Sequence, residues 1–405
     1  MAAPQVLVVG GGLIGAATAF YLSKKGAKPI VLEAVSPACS ASGKAGGFLA
    51  LDWCDSQATG PLARRSFALH EQLAKELGTD CGYRRVRTHS ISVKPGATGA
   101  HAAGGASAVR RPPSLPGWVD TENIGQASVI GTEETTAQVH PELLTKALLA
   151  AAEAAGGSLQ LAAAVGLRLA GEDDSGGGGG GGGAEGQRHV AEVRVRDRAS
   201  GEEREVAADA VVFCMGAWSA QLRSWLPQLG GLEVSGLKVH SIVLADPPHR
   251  PTTADALFLA YRGSDGKSLE PEVYPRPNGQ VYVCDVSEDD VAVPATAADV
   301  LPRPDAIATL QGVAASVSKD LGAAELLQGQ ACLLPCTADG LPVIGRVPGL
   351  ANAYVATGHS CWGILQAPAT GEAVAELVVD GAARSTNLRA FDPARLARQA
   401  ARRQR

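Results

Sequence analysis

The sequence predicts an α/β fold in which a parallel sheet with helices on its faces is interleaved with a smaller antiparallel sheet. Near the N-terminus, an apolar strand at 6–9 enters a glycine turn, a helix of small and apolar residues runs to Gly26, and a second apolar strand ends at Glu33. A strand–helix–strand unit of this kind builds parallel sheets. Between 237 and 285, short apolar strands alternate with turn residues, which is typical of an antiparallel sheet.

Length and composition describe a globular chain large enough for two domains. It has 405 residues, a formal net charge of −5 and 4% aromatic residues, so we expect no nucleic-acid partner. No apolar run has the length of a membrane span. The eight cysteines include no CxxC pair, which favours free thiols in a reducing compartment. We expect a cytoplasmic protein, or an organellar one if a targeting segment has been removed.

The first glycine turn has the spacing of a dinucleotide-binding fingerprint, G-x-G-x-x-G. Gly10 would make the tight turn, Gly12 would let the backbone approach a pyrophosphate, and Gly15 would let helix and strand pack closely. The diphosphate would lie on the free N–H groups of the helix N-terminus. Glu33 has the position from which an acid accepts hydrogen bonds from the adenosine ribose.

Three further segments carry site signals. The loop at 39–48 is rich in small residues, glycines and hydroxyls, and a nicotinamide enzyme does not require such a second glycine loop. A buried strand at 210–214 leads into a glycine turn at 216–218. The segment 339–345 is followed by a strand and loop over 354–364 and by a helix from about Pro368 to Val379.

Other elements follow from periodicity and turn residues. The sequence predicts helices at 67–77, 141–156 and 304–321, and strands at 87–94, 159–169 and 190–196. The glycine run at 176–183 predicts a flexible hairpin tip, since ordering glycine is entropically costly. The segment 94–118, rich in Pro, Gly, Ala and Ser, predicts a surface excursion.

The order and spacing of these motifs resemble the D-amino-acid oxidase (DAO) family of FAD enzymes, which includes glycine oxidase and monomeric sarcosine oxidase. The resemblance covers nearly the whole chain, and is closest to a poorly characterised eukaryotic branch. It implies FAD as the cofactor and a Rossmann-like FAD-binding domain of the DAO and glutathione-reductase type. The residues that it implies for the cofactor site are Gly10, Gly12, Leu13, Ile14, Gly15, Glu33, Ser42, Gly43, Lys44, Ala45, Gly46, Gly47, Val165, Gly216, Trp218, Gly358, His359, Cys361, Trp362, Gly363 and Ile364.

The resemblance also implies a division into two interleaved domains. Residues 1-80, 139-235 and 330-405 would form the FAD-binding domain, and 81-138 with 236-329 would form the substrate domain. The loop before the last helix would border the isoalloxazine ring. A helix that starts near Pro368 would direct free N–H groups towards negative charge on the reduced flavin.

The substrate signals depart from the family pattern. By the resemblance, the arginines that pair with a substrate carboxylate would fall on Leu334 and Cys361, so a small free amino acid is doubtful. The family's active-site tyrosine aligns near Glu272, and strand alternation places Glu272 and Tyr274 on one face. A carboxylate over the flavin would attract an ammonium group, which favours an amine without a free carboxylate. The alternative is a solvated Glu at a sheet edge.

The candidate catalytic residues are therefore Glu272, Tyr274, His359 and Trp362. Cys332 occupies the place of the cysteine that bonds covalently to the flavin in monomeric sarcosine oxidase, although a buried, unreacted thiol with non-covalent FAD is the commoner case. The remaining polar candidates, each of which also suits a structural role, are Lys238, His240, His89 and Arg87.

The preferred function is an FAD-dependent oxidase that oxidises the C–N bond of an amine or amino-acid-like substrate by hydride transfer, with O2 as the acceptor. One alternative is a flavin dehydrogenase that acts on a hydroxy acid or another donor and uses a different acceptor. The other is a flavoprotein whose main role is to bind a partner in trafficking.

Overall fold

The computed structural model describes residues 3–95, 115–171, 188–263 and 266–396. Its helices are α1 (Leu13–Lys24), α2 (Ala41–Lys44), α3 (Gly60–Glu76), α4 (Pro141–Ala154), α5 (Leu222–Trp225), α6 (Pro304–Val317), α7 (Lys319–Gly322) and α8 (Gly363–Val379). Short 3-10 turns lie at Gly216–Gln221, Pro227–Leu229, Ala297–Asp299 and Ser360–Trp362. None of the helices in the described ranges has both the length and the apolarity that crossing a membrane requires.

The strands of the described chain form three sheets. They are β1 (Gln5–Val9), β2 (Lys28–Glu33), β3 (Phe48–Ala50), β4 (Arg84–Arg85), β5 (Arg87–Val93), β6 (Ile124–Gly131), β7 (Thr136–Gln138), β8 (Ser158–Ala170), β9 (His189–Asp197), β10 (Glu203–Ala207), β11 (Ala210–Phe213), β12 (Val234–Ala245), β13 (Asp255–Arg262), β14 (Ser268–Leu269), β15 (Glu272–Arg276), β16 (Gln280–Val291), β17 (Leu326–Thr337), β18 (Val343–Arg346) and β19 (Ala353–Thr357).

The first sheet has the order β10-β9-β8-β2-β1-β11-β19-β18. Its centre, from β8 to β19, is parallel, and β9, β10 and β18 are antiparallel additions at the two edges. The predicted strand–helix–strand unit is confirmed as β1, α1 and β2. Because chain connections diverge on either side of β1, a crevice opens at the carboxyl ends of β1, β11 and β19, where such sheets bind ligands.

Helix α1 is buried on nearly every side, which explains its uniformly small and apolar sequence. Ala16 and Ala17 are fully buried, and a Cβ at Gly371 of α8 would lie 2.5 Å from the backbone of Ala17. The two helices therefore pack with their backbones close together, and this close packing holds both helix N-termini at the crevice.

The second sheet has the order β17-β12-β16-β15-β13-β5-β6, with β14 paired to β13. It is antiparallel as predicted, apart from the parallel pair of β5 and β13. Helix α6 covers one face with Leu310, Val313 and Val317, and the predicted helix at 304–321 is in fact two helices that break at Ser318. The predicted domain boundary at 330 falls inside β17, which belongs to this sheet.

The predicted hairpin is present, because β8 and β9 pair as far as Ala170 opposite His189. Its predicted glycine tip at 176–183 lies outside the described residues, as does most of the predicted surface excursion. The last helix corrects the prediction: α8 begins at Gly363 and contains Pro368 in its interior instead of starting there.

Candidate functional site

A long cavity lies at the carboxyl edge of the parallel sheet. It encloses about 1340 Å³ that no protein atom fills, part of it open to solvent. Most of the residues predicted to hold the cofactor line it: Gly10, Gly12, Leu13, Ile14, Glu33, Ser42, Ala45, Gly216, Trp218, Gly358, His359, Cys361, Gly363 and Ile364. The sequence motifs, far apart along the chain, therefore meet around one space.

The first glycine turn has the geometry that its sequence predicts. Gly10 has a φ of +116°, and a Cβ on it would lie 2.3 Å from Cys214 O at the end of β11. A Cβ on Gly15 would lie 1.9 Å from Gly10 O. Neither position accepts a side chain, so the strand, the turn and α1 are in direct backbone contact.

The N-terminus of α1 opens onto the cavity. Its first N–H groups have no carbonyl of the helix to bind, and one of them, Leu13 N, donates to Ser42 Oγ at 2.8 Å. Together with the helix dipole, these groups make the turn favourable for a phosphate group. Ser42 brings the second glycine loop to the same place.

The Glu33 carboxylate connects the glycine turn to the chain that follows β2. Its Oε2 accepts from Gly11 N at 2.8 Å, and its Oε1 accepts from Val35 N at 2.8 Å. Cys39 Sγ also donates to Oε1 at 3.7 Å, so Oε2 is the oxygen with a further lone pair, and Glu33 lines the cavity. The arrangement fits an acid that orders the turn and also accepts hydrogen bonds from ribose hydroxyls.

The second glycine loop faces both the cavity and the protein. Its residues 39–42 and Ala45 line the cavity, whereas Gly43 and Gly47 pack against neighbouring carbonyls, and a Cβ on Gly46 would lie 2.3 Å from the ring of Tyr274. Lys44 Nζ donates to Ala331 O at 2.9 Å. The loop thus joins the parallel sheet to the second sheet, a contact that local sequence could not indicate.

Val165 does not line the cavity; Ala162, Ala163 and Ala164 beside it do. Val165 is the extra residue of a β-bulge between β8 and β9. The alanines carry no sequence signal except their small size. Sequence reasoning also missed the lining stretches 34–35 and 295–297, and Leu333 and Pro335 on either side of Leu334, which come from loops and from the second sheet.

Two glycine turns close the middle of the cavity. Thr357 Oγ1 donates to Gly216 O at 3.1 Å, and Trp218 Nε1 donates to Pro294 O at 2.7 Å. The second bond holds the Trp218 ring in the cavity wall. The first bond joins the turn at Gly216 to the end of β19.

His359 lines the cavity in the 358–364 loop, at the end that the family resemblance assigns to the flavin. It is 4% exposed, its Nε2 is 3.1 Å from Thr370 Oγ1, and burial lowers its pKa to about 3. The imidazole is therefore neutral at physiological pH and does not act as an acid there. Its position supports the loop that begins at Gly358.

Glu272 and Tyr274 share one face of β15, as strand alternation predicts. Tyr274 Oη donates to Glu272 Oε2 at 2.6 Å, and Cys284 Sγ donates to the same oxygen at 3.6 Å. Burial raises the pKa of Glu272. Neither Glu272 nor Tyr274 is among the residues that line the cavity; Cys361, at its 358–364 end, is, and burial together with the charge of Glu272 raises the pKa of Cys361.

Trp362 belongs to a cluster of rings at that end instead of lining the cavity. Its ring lies edge-on to Trp53 with centroids 6.5 Å apart, and Trp53 and Phe48 each lie 5.0 Å from Phe258. All four rings are half-buried. Tyr274 stacks on Phe48 at 5.7 Å, so the cluster continues to Glu272.

Cys332 does not line the cavity, although its neighbour Leu333 does. Its thiol is 5% exposed, and burial raises its pKa to about 11. A protonated, enclosed thiol is a poor nucleophile. The geometry therefore fits non-covalent FAD.

The other polar candidates have structural partners away from the cavity. His89 Nε2 lies 2.7 Å from Asp255 Oδ1. Lys238 Nζ and His240 Nε2 each lie 3.3 Å from Glu288 Oε1. Arg87 is exposed at the start of β5. None of these four candidate residues is among those that line the cavity.

FAD suits the cavity residue by residue. The α1 turn offers N–H groups to a diphosphate, Glu33 offers acceptors to the ribose, and the alanines of β8 leave room for the adenine. The end at 358–364, which the family resemblance places beside the isoalloxazine ring, would then receive the flavin.

Comparison with known proteins agrees with this geometry. Residues 5–377 match the family model described as FAD dependent oxidoreductase (DAO). A Schizosaccharomyces pombe protein that carries an oxidoreductase name without a substrate is 28% identical over 417 residues, covering 96% of this chain and 97% of its own. Glycine oxidase of Geobacillus kaustophilus is 28% identical over 382 residues, covering 92% of each chain.

Solved structures share the fold. The crystal structure of glycine oxidase from Geobacillus kaustophilus superposes with a TM-score of 0.69 at 24% identity, covering 96% of this chain and 98% of that one. L-proline dehydrogenase from P. horikoshii gives a TM-score of 0.71 at 18% identity and covers 98% of both. At these identities the likeness concerns architecture alone.

Proposed function

Because this chain belongs to the DAO family of FAD dependent oxidoreductases, we propose that it oxidises the C–N bond of an amine, with O2 as the electron acceptor. Bound FAD supplies the two-electron acceptor. The C–H bond beside the nitrogen breaks, its electron pair leaves as hydride, and the nitrogen lone pair forms the C=N bond. O2 then takes up the two electrons and two protons as H2O2.

The observation that carries the proposal is the half-buried carboxyl of Glu272, whose hydrogen-bond partner Tyr274 packs against Gly46 in the loop that lines the cavity at Ser42 and Ala45. Its Oε2 is occupied by Tyr274 and Cys284, so Oε1 is the oxygen left to face a substrate. An ammonium group favours the ionised carboxylate by direct charge attraction. Burial raises the pKa of Glu272, which suits it to take the proton that the ammonium must lose before hydride transfer.

The surroundings do not favour a substrate carboxylate. Leu334 and Cys361 line the cavity at the positions where the family resemblance places carboxylate-binding arginines. Arg276, which is on the same strand as Glu272, is buried and donates to Ala45 O at 3.0 Å. Arg84 donates to Pro275 O at 2.7 Å and to Gln138 Oε1 at 2.9 Å. Both guanidinium groups are occupied with structural contacts.

The half-buried rings supply the other half of substrate recognition. Phe48, Trp53, Phe258 and Trp362 form an apolar surface that continues to Glu272 through Tyr274. In a chain with 4% aromatic residues, this concentration is a strong feature. We therefore infer an amine whose organic group is apolar and packs against these rings.

The test is anaerobic reduction of the holoenzyme with matched donors. Each apolar amine is compared with the corresponding α-amino acid and with the corresponding alcohol or hydroxy acid, and the flavin absorbance is followed. We expect bleaching by the amines, little by the amino acids, and none by the alcohols. Glu272→Gln should slow bleaching by about 10²-fold, the typical size for a lost acid–base group.

Readmitting O2 completes the test. Return of the flavin absorbance with one H2O2 per amine supports the oxidase. Reduction that O2 does not reverse would assign a dehydrogenase with another acceptor. A flavin that none of the donors reduces would overturn the proposed activity and favour a binding role.

A further inference from the structure

Helix α8 contains a proline whose missing hydrogen bond is replaced from another helix. A proline within a helix has no N–H for the carbonyl four residues earlier, and for Pro368 that is the carbonyl of Ile364. His70 Nε2 of α3 lies 3.0 Å from Ile364 O and 3.2 Å from Leu365 O. Because a carbonyl oxygen only accepts, His70 carries its proton on Nε2 and donates to both.

Two more side chains of α3 hold α8 beyond the proline. Ala369 N donates to Ser66 Oγ at 3.0 Å. Arg65 makes two bonds to the carboxylate of Glu372, at 2.9 and 2.7 Å. The contacts of α3 therefore span the interrupted part of α8, from Ile364 to Glu372.

The state of His70 suits this role. The residue is 2% exposed, and burial lowers its pKa to about 4. It is a neutral donor at physiological pH, and its Nδ1 has no hydrogen-bond partner within the described residues. Because this buried imidazole bonds only through Nε2, its polar role is to donate to the two carbonyls.

These carbonyls belong to the first turn of α8, which lines the cavity at Gly363 and Ile364. The opposite end of the cavity holds Glu33 and the α1 turn, which suit the ribose and diphosphate. The first turn of α8 consequently lies at the flavin end. Free N–H groups and a helix dipole at such a place stabilise developing negative charge.

We propose that His70 is a positioning residue for FAD: it replaces the hydrogen bond lost at Pro368 and so aims the first turn of α8 at the flavin. The inference depends on FAD binding and is independent of the substrate. It explains why a helix interrupted near its start can still present an ordered N-terminus to the cavity.

The test uses His70→Leu, which removes the donor, and His70→Gln, whose amide N–H can replace it. We expect His70→Leu to weaken FAD binding about tenfold, and His70→Gln to stay within about threefold of wild type, since unsatisfied carbonyls are costly and satisfied ones are not. The flavin potential should also fall in His70→Leu. A tenfold loss of preference for reduced over oxidised FAD is about 30 mV for a two-electron couple.

Restoring the helix supplies the decisive comparison. In His70→Leu/Pro368→Ala the alanine N–H can bind Ile364 O again, so the potential should return towards wild type. Leu144→Ala, a buried change in α4 away from the cavity, should lower stability without moving the potential. It controls for general destabilisation.

A folded His70→Leu protein with wild-type FAD affinity and potential would overturn the proposal. So would a loss that Pro368→Ala does not reverse, because it would assign His70 to packing alone. If His70→Leu does not fold, Ser66→Ala replaces it: we expect a two- to threefold weaker FAD complex with a lowered potential, and an unchanged potential would again overturn the proposal.

Discussion

The two ends of the cavity are built by different means. At the Glu33 end, recognition is carried by backbone: glycines bring β1, α1 and β11 into direct contact and expose N–H groups. At the other end, the recognition that we propose depends on side chains of the second sheet, where Glu272, Tyr274 and Cys284 are in contact. A backbone site depends on the absence of side chains and tolerates few changes, whereas a side-chain site can alter its specificity one residue at a time.

Gly15→Ala should have the largest effect, because it disrupts the glycine turn at the Glu33 end of the cavity. The new Cβ would lie 1.9 Å from Gly10 O, and neither backbone can move without opening the turn. We expect the FAD affinity to fall by at least about 10²-fold, as strain of several kcal/mol at a phosphate turn implies. The ratio of flavin to protein absorbance after purification, and titration of the apoprotein with FAD, measure it.

The matched control is Gly26→Ala, after α1. Gly26 has a φ of +80°, but a Cβ added there would have no atom within 4 Å. We expect a loss of ~1 kcal/mol in stability with normal FAD content. Equal loss of FAD from both variants would show that the first turn is not special.

This contrast explains which parts could be predicted from sequence. The Glu33 end was predictable because the strand, the three glycines and the acid lie within residues 6–33. Each of them is required by the local backbone geometry of the turn. The contacts of Gly46 with Tyr274 and of Lys44 with Ala331 were not, because their partners come from a different sheet. The prediction that the last helix starts near Pro368 was wrong. Proline is usually confined to the first turn of a helix because it lacks an N–H, but here the side chain of His70 replaces the missing hydrogen bond.

Acid should affect the buried histidines and Glu272, all on the flavin side, in opposite senses. Burial lowers the pKa of His70 from 6.5 to about 4 and that of His359 to about 3, so the unfolded chain binds more protons as the pH falls below 6.5 and stability is lost towards pH 4. Burial raises the pKa of Glu272, which gives the opposite slope. The histidines should dominate, with a loss of a few kcal/mol.

Urea unfolding at pH 7 and pH 5 measures this effect. His70→Gln should flatten the pH dependence, because a glutamine takes up no proton in the unfolded state. Glu272→Gln should steepen it, since the opposing contribution is then removed. A pH dependence unchanged in His70→Gln would contradict the burial of a neutral imidazole at α8.

Tyr274→Phe tests the hydrogen bond between Tyr274 and Glu272. The Tyr274 hydroxyl donates to Glu272 and thereby lowers the pKa of that carboxyl against the rise caused by burial. Without it, the pKa of Glu272 rises further, so the acidic limb of the kcat/KM profile for an amine should move to higher pH. FAD content should not change. A shift to lower pH, or none, would remove Glu272 from amine deprotonation.

Cys332→Ala tests whether the flavin is bound covalently to this thiol, and its expected effect is the smallest. Cys332 is buried in β17 outside the cavity lining, with its pKa raised to about 11 by burial, so we expect only a modest loss of stability, ~1 kcal/mol from the lost packing. Acid precipitation of wild type and variant should release all the flavin and leave colourless pellets. A yellow wild-type pellet that turns colourless in Cys332→Ala would show a thiol–flavin bond.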